Sequence, residues 1–309
     1  MVDQIEKVEV PAWLDRAAFP FQSRFLQTRF GRVHYLDEGP RDGEVVLLVH
    51  GTPSWSFEYR HLIPILAQSR RVIAIDHLGF GLSERPVDFP YTPEAHTAVL
   101  ADVIERLGLS RFSLVVHDYG GPIALPIALD APERIASLVV LNTWLWSLQT
   151  DPAFLKQARF AASGLGRFLY RWLNAPLRLL MPAAYANKRR LTRAIHGQYL
   201  APFRSRADRV RVLWTLAKSL VTSSPSFGRI WDERARLAPI SSLIVWGLGD
   251  RALPPYMLER VRAALPQAQV EVLQDAGHWP QEEAPREVAR LLDGFLPRGS
   301  GARDKLLSA

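Results

Sequence analysis

Six short apolar runs, separated by helix-length stretches, constrain this chain more than any other feature. They are Val45–Val49, Arg71–Ile75, Ser113–Val116, Ser137–Leu141, Ser241–Trp246 and Gln269–Leu273. As a group they are rich in Val, Ile and Leu at odd and even positions alike. That is how strands buried on both faces of a parallel sheet read. Helix-length segments lie between them: Pro64–Gln68 with its approach from Phe57, then Pro93–Leu107, Gly120–Leu129, Met257–Leu265 and Glu282–Phe295. The alternation predicts an α/β fold with a mostly parallel central sheet. Phe25–Leu36, split by Gly31-Arg32, predicts an antiparallel hairpin at the start of that sheet.

One segment breaks the alternation. From about Trp146 to Ile230 no convincing strand occurs. Apolar residues recur there at helical spacing (Phe154, Ala158, Ala161; Phe168, Leu169, Trp172, Leu173), punctuated by Pro and Gly. A chain of 309 residues has room for one large domain with an insertion. The expected division is a main domain at 20–145 and 231–297, a helical cap at 146–230 inserted after the sixth strand, and a flexible polar tail at 298–309. Charge marks the same segment. Between Asp151 and Ile230 stand 15 Lys or Arg and two acids, a net +13 in a chain whose total is +7, so the remainder is −6. No helix-turn-helix, RNA-recognition or zinc-finger pattern accompanies this charge, so nucleic acid is not an expected partner. The expectation is a solvated, arginine-rich helical face.

The absence of cysteine excludes disulfides, thiolate metal sites and cysteine nucleophiles. The longest apolar run, Ile135–Leu148, is interrupted by Ser137, Asn142 and Thr143, so no integral membrane segment is expected. The N-terminal MVDQIEKVEV lacks an apolar signal core, and the expected location is the cytoplasm.

In an open parallel sheet, chemistry gathers where the strands end at their carboxyl side. His50-Gly51-Thr52-Pro53 follows the first long run, His117-Asp118-Tyr119-Gly120-Gly121 the third, Gly247-Leu248-Gly249-Asp250 the fifth and Asp275-Ala276-Gly277-His278 the sixth. Three ionisable side chains thus share one end of the sheet, in the order Asp118, Asp250, His278. A strand running into Asp118, with two glycines and a helix after it, is the setting of a nucleophile elbow, although Val116 stands where such elbows usually carry glycine. A carboxylate ionised at neutral pH suits attack on a tetrahedral carbon. Taken alone, Asp118 also fits a helix N-cap and Asp250 an Asx-turn. His278 fits a general base, Asp250 the acid that orients it, and the N–H groups of Thr52 and Tyr119 an oxyanion hole. His34, His61 and His96 sit where nothing converges.

These motifs, with Tyr35-Leu36-Asp37-Glu38-Gly39, Asp76-His77-Leu78-Gly79-Phe80-Gly81 and Leu141-Asn142-Thr143-Trp144, resemble the α/β-hydrolase superfamily from Pro20 to about Phe295. The Asp elbow narrows the resemblance to haloalkane dehalogenases and their epoxide-hydrolase neighbours. It is most like the dehalogenase subfamily whose triad acid follows the same late strand as Asp250. The resemblance implies an alkyl-enzyme ester on Asp118, hydrolysed by water that His278 activates. It also implies a small hydrophobic substrate, a roofing cap, and neither cofactor nor metal. Two positions depart from it. The family's halide-holding Trp after the nucleophile is Tyr119 here, and the subfamily's Asn after His-Gly is Thr52. Trp144 and Trp172 are candidates to supply an indole N–H instead, or to form pocket wall. The alternatives are an epoxide or strained-lactone hydrolase or decarboxylase with the same triad, its proton drawn from Tyr170, Tyr185 or Tyr199, and a non-catalytic binding module. Intact Asp118, Asp250 and His278 argue against the last.

Overall fold

Val45–Val49 (β3) is the strand on which the sheet is built. Flanked on both sides and almost fully buried, it pairs in parallel with Arg71–Ile75 (β4) and Phe112–His117 (β5). The structure, a computed structural model, describes residues 10–298. The other strands are Arg24–Gln27 (β1), Arg32–Glu38 (β2), Ile135–Leu141 (β6), Ser242–Gly247 (β7) and Gln269–Leu273 (β8). The spatial order is β1-β2-β4-β3-β5-β6-β7-β8. β1 and β2 form the expected hairpin, β2 meets β4 antiparallel, and every later pairing is parallel. The α/β fold with a mostly parallel sheet expected from the alternation is therefore present, in the arrangement that the resemblance implies. One expectation fails locally. β8 is not buried on both faces: it lies at the sheet edge, and Val272 is 37% exposed. Its sequence, QVEVL, already carries the polar residues an edge strand tolerates.

The helices follow the expected stretches, with differences of a residue or two at their ends: Pro93–Arg106, Gly120–Asp130 and Tyr256–Ala264. The stretch Glu282–Phe295 is two helices, Pro280–Glu283 and Pro285–Phe295. Pro285 disfavours helical backbone at Ala284 and has no N–H to continue the first helix. Its apolar face packs Val288, Ala289 and Leu292 into the core. Near residue 57 the chain forms a 3-10 turn, Ser56–Tyr59, before the short helix Ile63–Leu66.

Between β6 and β7 the chain is helical, from Pro152–Ala162 to Ser224–Asp232, with three π-helical stretches at Leu169–Leu173, Pro176–Leu180 and Arg209–Trp214. This segment is tied down onto the loops at the carboxyl ends of the strands. The Trp55 indole donates to Gln198 O at 3.2 Å, and the His278 N–H donates to Ala184 O at 3.0 Å. Arg60 and Tyr199 both donate to buried Glu282. Leu14 and Phe19 are buried in the same core as the sheet. The helix Ser224–Asp232 runs straight through position 230. The tail expected at 298–309 lies, beyond Arg298, outside the described residues. No helix among the described residues is long and apolar enough to cross a membrane.

Candidate active site

Parallel register sets the site. Val49 pairs with Val116, and His117 with Leu141, so β3, β5 and β6 release their chains at one level. Immediately after β5 the backbone of Asp118 turns into the left-handed region, at φ 49°. For a residue with a Cβ that conformation costs about 1–3 kcal/mol and persists only where surroundings enforce it. They do so here through two close approaches. A Cβ on Gly51 would lie 2.4 Å from Asp118 Cβ, and one on Gly120 would lie 2.1 Å from Val49 O. The Thr143 hydroxyl fixes the turn by donating to Asp118 O at 2.5 Å. The elbow is therefore built from glycines at 51 and 120, which is why Val116 is tolerated where a glycine is usual.

The two carboxylate oxygens of Asp118 face different partners. Oδ1 accepts the Thr52 N–H at 2.8 Å, and the Tyr119 N–H also donates to this carboxylate. Oδ2 lies 3.4 Å from His278 Nε2. On the far side of the imidazole, Nδ1 is 2.8 Å from Asp250 Oδ2. Asp250 divides its own oxygens in the same way. Oδ1 accepts the N–H groups of Ala252 and Leu253 at 2.7 and 2.9 Å, and Oδ2 serves His278. One Asp250 oxygen thus meets the backbone of its own turn and the other meets the imidazole.

All three side chains are buried. Burial alone would push the Asp118 carboxyl up, but its hydrogen bond and attraction to His278 hold it below the ordinary carboxylate range. Burial pulls the His278 imidazole down, and the carboxylates of Asp250 and Asp118 override it and raise its pKa. The imidazole thus lies between the carboxyl groups of Asp118 and Asp250.

Sequence reasoning assigned no role to two further residues. Asn142, on the turn after β6, donates to Asp250 Oδ2 at 2.8 Å and accepts the Gly247 N–H at 2.9 Å. It fixes the acid from across β7. His117 hydrogen-bonds the His278 carbonyl at 2.7 Å through Nε2, and its Nδ1 lies 3.2 Å from Oε1 of fully buried Glu58. The available signal was position: Asn142 and His117 sit at strand ends beside the three expected residues. The His50 ring joins its own loop to the one after β4, with Nδ1 2.7 Å from Gly51 O and Nε2 accepting the His77 N–H at 3.0 Å.

Other expectations separate. The Tyr119 side chain does not face the carboxylate as a donor, because its hydroxyl donates to Leu216 O at 2.6 Å. Trp144 packs edge-on against Tyr119 with centroids 4.9 Å apart, and its buried Nε1 has no partner among the described residues. Trp172 is not pocket wall: it is 46% exposed, because its helix turns that face outward, and Arg206 stacks on it. Of the three tyrosines, Tyr199 is spent on Glu282 and Tyr185 stacks on Trp279. Burial and the Asp118 carboxylate together raise the Tyr170 phenol, so Tyr170 is the one whose titration senses Asp118. His34 pairs with Asp76 at 2.8 Å, and buried His96 has no polar partner among the described residues. Among the described residues no group of three His, Asp or Glu is arranged to hold a metal ion.

A strand, a strained Asp turn, a helix, and an acid and a histidine delivered by the last two strands form one recurrent arrangement. The family model for the alpha/beta hydrolase fold matches residues 44–285. The chain belongs to the α/β-hydrolase family. Haloalkane dehalogenase 2 of Mycobacterium tuberculosis is 34% identical to this α/β-hydrolase over 277 residues, covering 89% of this chain and 95% of that one. The cis-3-alkyl-4-alkyloxetan-2-one decarboxylase of Shewanella oneidensis is 35% identical over 287 residues, covering 90% and 89%. The crystal structure of an ancestral haloalkane dehalogenase superposes with a TM-score of 0.76 at 25% identity, covering 88% and 97%. The hydrolase is thus similar over most of its length to proteins named for two different reactions.

Proposed function

We propose that this α/β-hydrolase is an Asp-nucleophile enzyme of haloalkane-dehalogenase type, acting on a small hydrophobic substrate with water as co-substrate. The division of labour between the Asp118 oxygens carries the reading. Oδ2 attacks an alkyl carbon, and the carbon–leaving-group bond breaks with its electron pair going to the leaving group. The resulting ester has Oδ1 as its carbonyl oxygen, already facing the Thr52 N–H at 2.8 Å. Ester formation also removes the negative charge beside His278. The imidazole pKa falls, Nε2 releases its proton to solvent, and it can then accept one from the attacking water. The water oxygen adds to Asp118 Cγ, and the charge that develops on Oδ1 is met by the Thr52 and Tyr119 N–H groups. Collapse breaks the Cγ–Oδ2 bond, and the departing alkoxide takes a proton from His278. In this reading the helical segment between β6 and β7 is the cap that keeps bulk water from the ester.

A second reading is favoured by the Tyr119 hydroxyl. Because that hydroxyl is committed to Leu216 O, a departing halide finds no donor in it. An epoxide or a strained lactone keeps its departing oxygen tethered and depends less on such a donor. The relative named as an oxetanone decarboxylase fits this reading. The test is a panel of bromoalkanes, terminal epoxides and alkyl β-lactones, scored for halide, diol, or hydroxy acid and alkene. Halide release at ordinary enzymatic rates, ~1–10³ s⁻¹, supports the first reading. Turnover confined to the oxygen electrophiles supports the second. Full turnover of any of them by Asp118→Ala overturns both.

A further inference from the structure

The helical segment between β6 and β7 exposes large apolar side chains beside the arginines that its sequence leads one to expect. Of the ten exposed large apolar side chains among the described residues, seven lie between Phe160 and Leu180. Phe160, Leu165, Phe168, Leu179 and Leu180 are each more than half exposed, at 53 to 57%. Leu165, Phe168 and Trp172 follow one another at three- and four-residue spacing, so they share a helix face. Large exposed apolar clusters of this kind mark contact surfaces.

Cations surround the same face without counter-charges. Arg206 stacks on Trp172 at 4.3 Å, and Arg171 does so at 5.6 Å. Arg209 donates to Arg171 O at 3.2 Å. Arg209 is held below its ordinary pKa by burial and by the charges of Arg178 and Arg206. These four arginines are therefore close neighbours of one another and of Trp172. Among the described residues, the ion pairs of segment 151–230 are Arg211 with Asp208, which stands next to Arg209, and Arg229 with Asp130 and Glu233; none of them engages Arg171, Arg178, Arg206 or Arg209. Like charges crowded around exposed aromatic and aliphatic side chains cost stability in the free protein unless an anionic, apolar partner meets them.

We propose that this face docks on an anionic lipid bilayer. Such a surface satisfies both features at once, since apolar side chains enter the acyl boundary while arginines meet phosphates. A second copy of the chain satisfies only the first, because it brings another segment of net +13 against this one. The consequence for function is positional. The same segment supplies Ala184 O and Leu216 O to the loop of His278 and to Tyr119, so a bilayer on its outer face lies one helical layer from the site. The enzyme would then take apolar substrate from the lipid phase rather than from water. The docking stands whichever electrophile the site takes.

The test is cosedimentation of the full chain with vesicles of phosphatidylcholine alone and with roughly 30 mol% phosphatidylglycerol added. The expected result is binding to the anionic vesicles only, falling by at least ~10-fold between low salt and 0.5 M salt as charges are screened. Leu165→Ser with Leu179→Ser, and separately Arg178→Glu with Arg206→Glu, should each abolish binding while circular dichroism and turnover of a water-soluble substrate stay unchanged. Three results would overturn the proposal: no binding to anionic vesicles, binding untouched by the leucine pair, or a concentration-dependent dimer that the leucine pair dissolves.

Discussion

The hydroxyl of Tyr119, the residue next to the nucleophile, donates to the carbonyl of Leu216 at 2.6 Å, and so joins the elbow to the helices above it. The backbone N–H of the same residue faces the Asp118 carboxylate. One residue thus serves the site through its main chain and the cap contact through its side chain. Tyr119→Phe should change turnover of any accepted substrate by less than ~3-fold, since the N–H remains. It should cost stability by about 0.5–1.5 kcal/mol, the net worth of the hydrogen bond lost to Leu216 O. Steady-state kinetics and denaturant unfolding of the variant check both. A large loss of halide release with stability intact would return the hydroxyl to leaving-group binding.

Thr52 also acts through its N–H, at 2.8 Å from Asp118 Oδ1. Thr52→Ala should therefore keep most activity. Thr52→Asn adds a longer side-chain donor beside the same N–H. It should raise halide release from 1-bromobutane by about 10-fold, equivalent to ~1.4 kcal/mol of transition-state stabilisation. A halide-release assay on the two variants decides whether a missing donor limits this reaction.

His278→Ala should alkylate once and stop. The first displacement needs only Asp118 Oδ2, whereas ester hydrolysis needs Nε2. Peptide mass spectrometry after incubation with an accepted substrate should find the alkyl group on the peptide containing Asp118. An adduct elsewhere contradicts the mechanism.

Asn142 holds Asp250 from the neighbouring strand at 2.8 Å without touching the imidazole. Asn142→Ala should lower kcat by roughly 10-fold through misorientation of His278, with KM little changed. Asn142→Asp places two carboxylates side by side and should do worse than Ala, because like charges at that separation disfavour ionisation. If both variants retain full kcat, Asp250 needs no second support.

The pH dependence follows from the two shifts. Asp118 is held below its ordinary 3.8, so alkylation, read as single-turnover rate, should stay flat down to about pH 4. Hydrolysis needs neutral His278, so kcat should fall on the acid side at a higher pH than alkylation does. Stability carries the opposite signature. The His278 pKa is raised on folding above 6.5, so its contribution is complete below pH ~6.5 and is lost as pH climbs through the raised value. Asp118→Asn removes one partner of that imidazolium and should flatten the decline of Tm at alkaline pH.

Much of the main body was legible in the residues themselves. Short continuous runs, apolar on both faces and separated by helix-length stretches, leave a chain few choices but a parallel sheet covered by helices. The carboxyl ends of those strands then name Asp118, Asp250 and His278 without reference to coordinates. The family motifs near Gly51 and Gly120 were readable for the same reason, since a close backbone approach demands the absence of a Cβ. What the sequence could not decide was where each side chain spends its hydrogen bonds. Whether the Tyr119 hydroxyl meets a leaving group or Leu216 O depends on contacts across 97 positions of chain. The role of Asn142 in holding Asp250 depends on β6 and β7 lying side by side. The apolar character of the helical segment was visible as periodicity, but Trp172 looks the same in sequence whether its face turns inward or outward. Only packing against the rest of the molecule decides that. Local pattern fixes which elements form, because propensity and burial act over a few residues, whereas the direction of a face and the partner of a hydroxyl belong to the assembled layers.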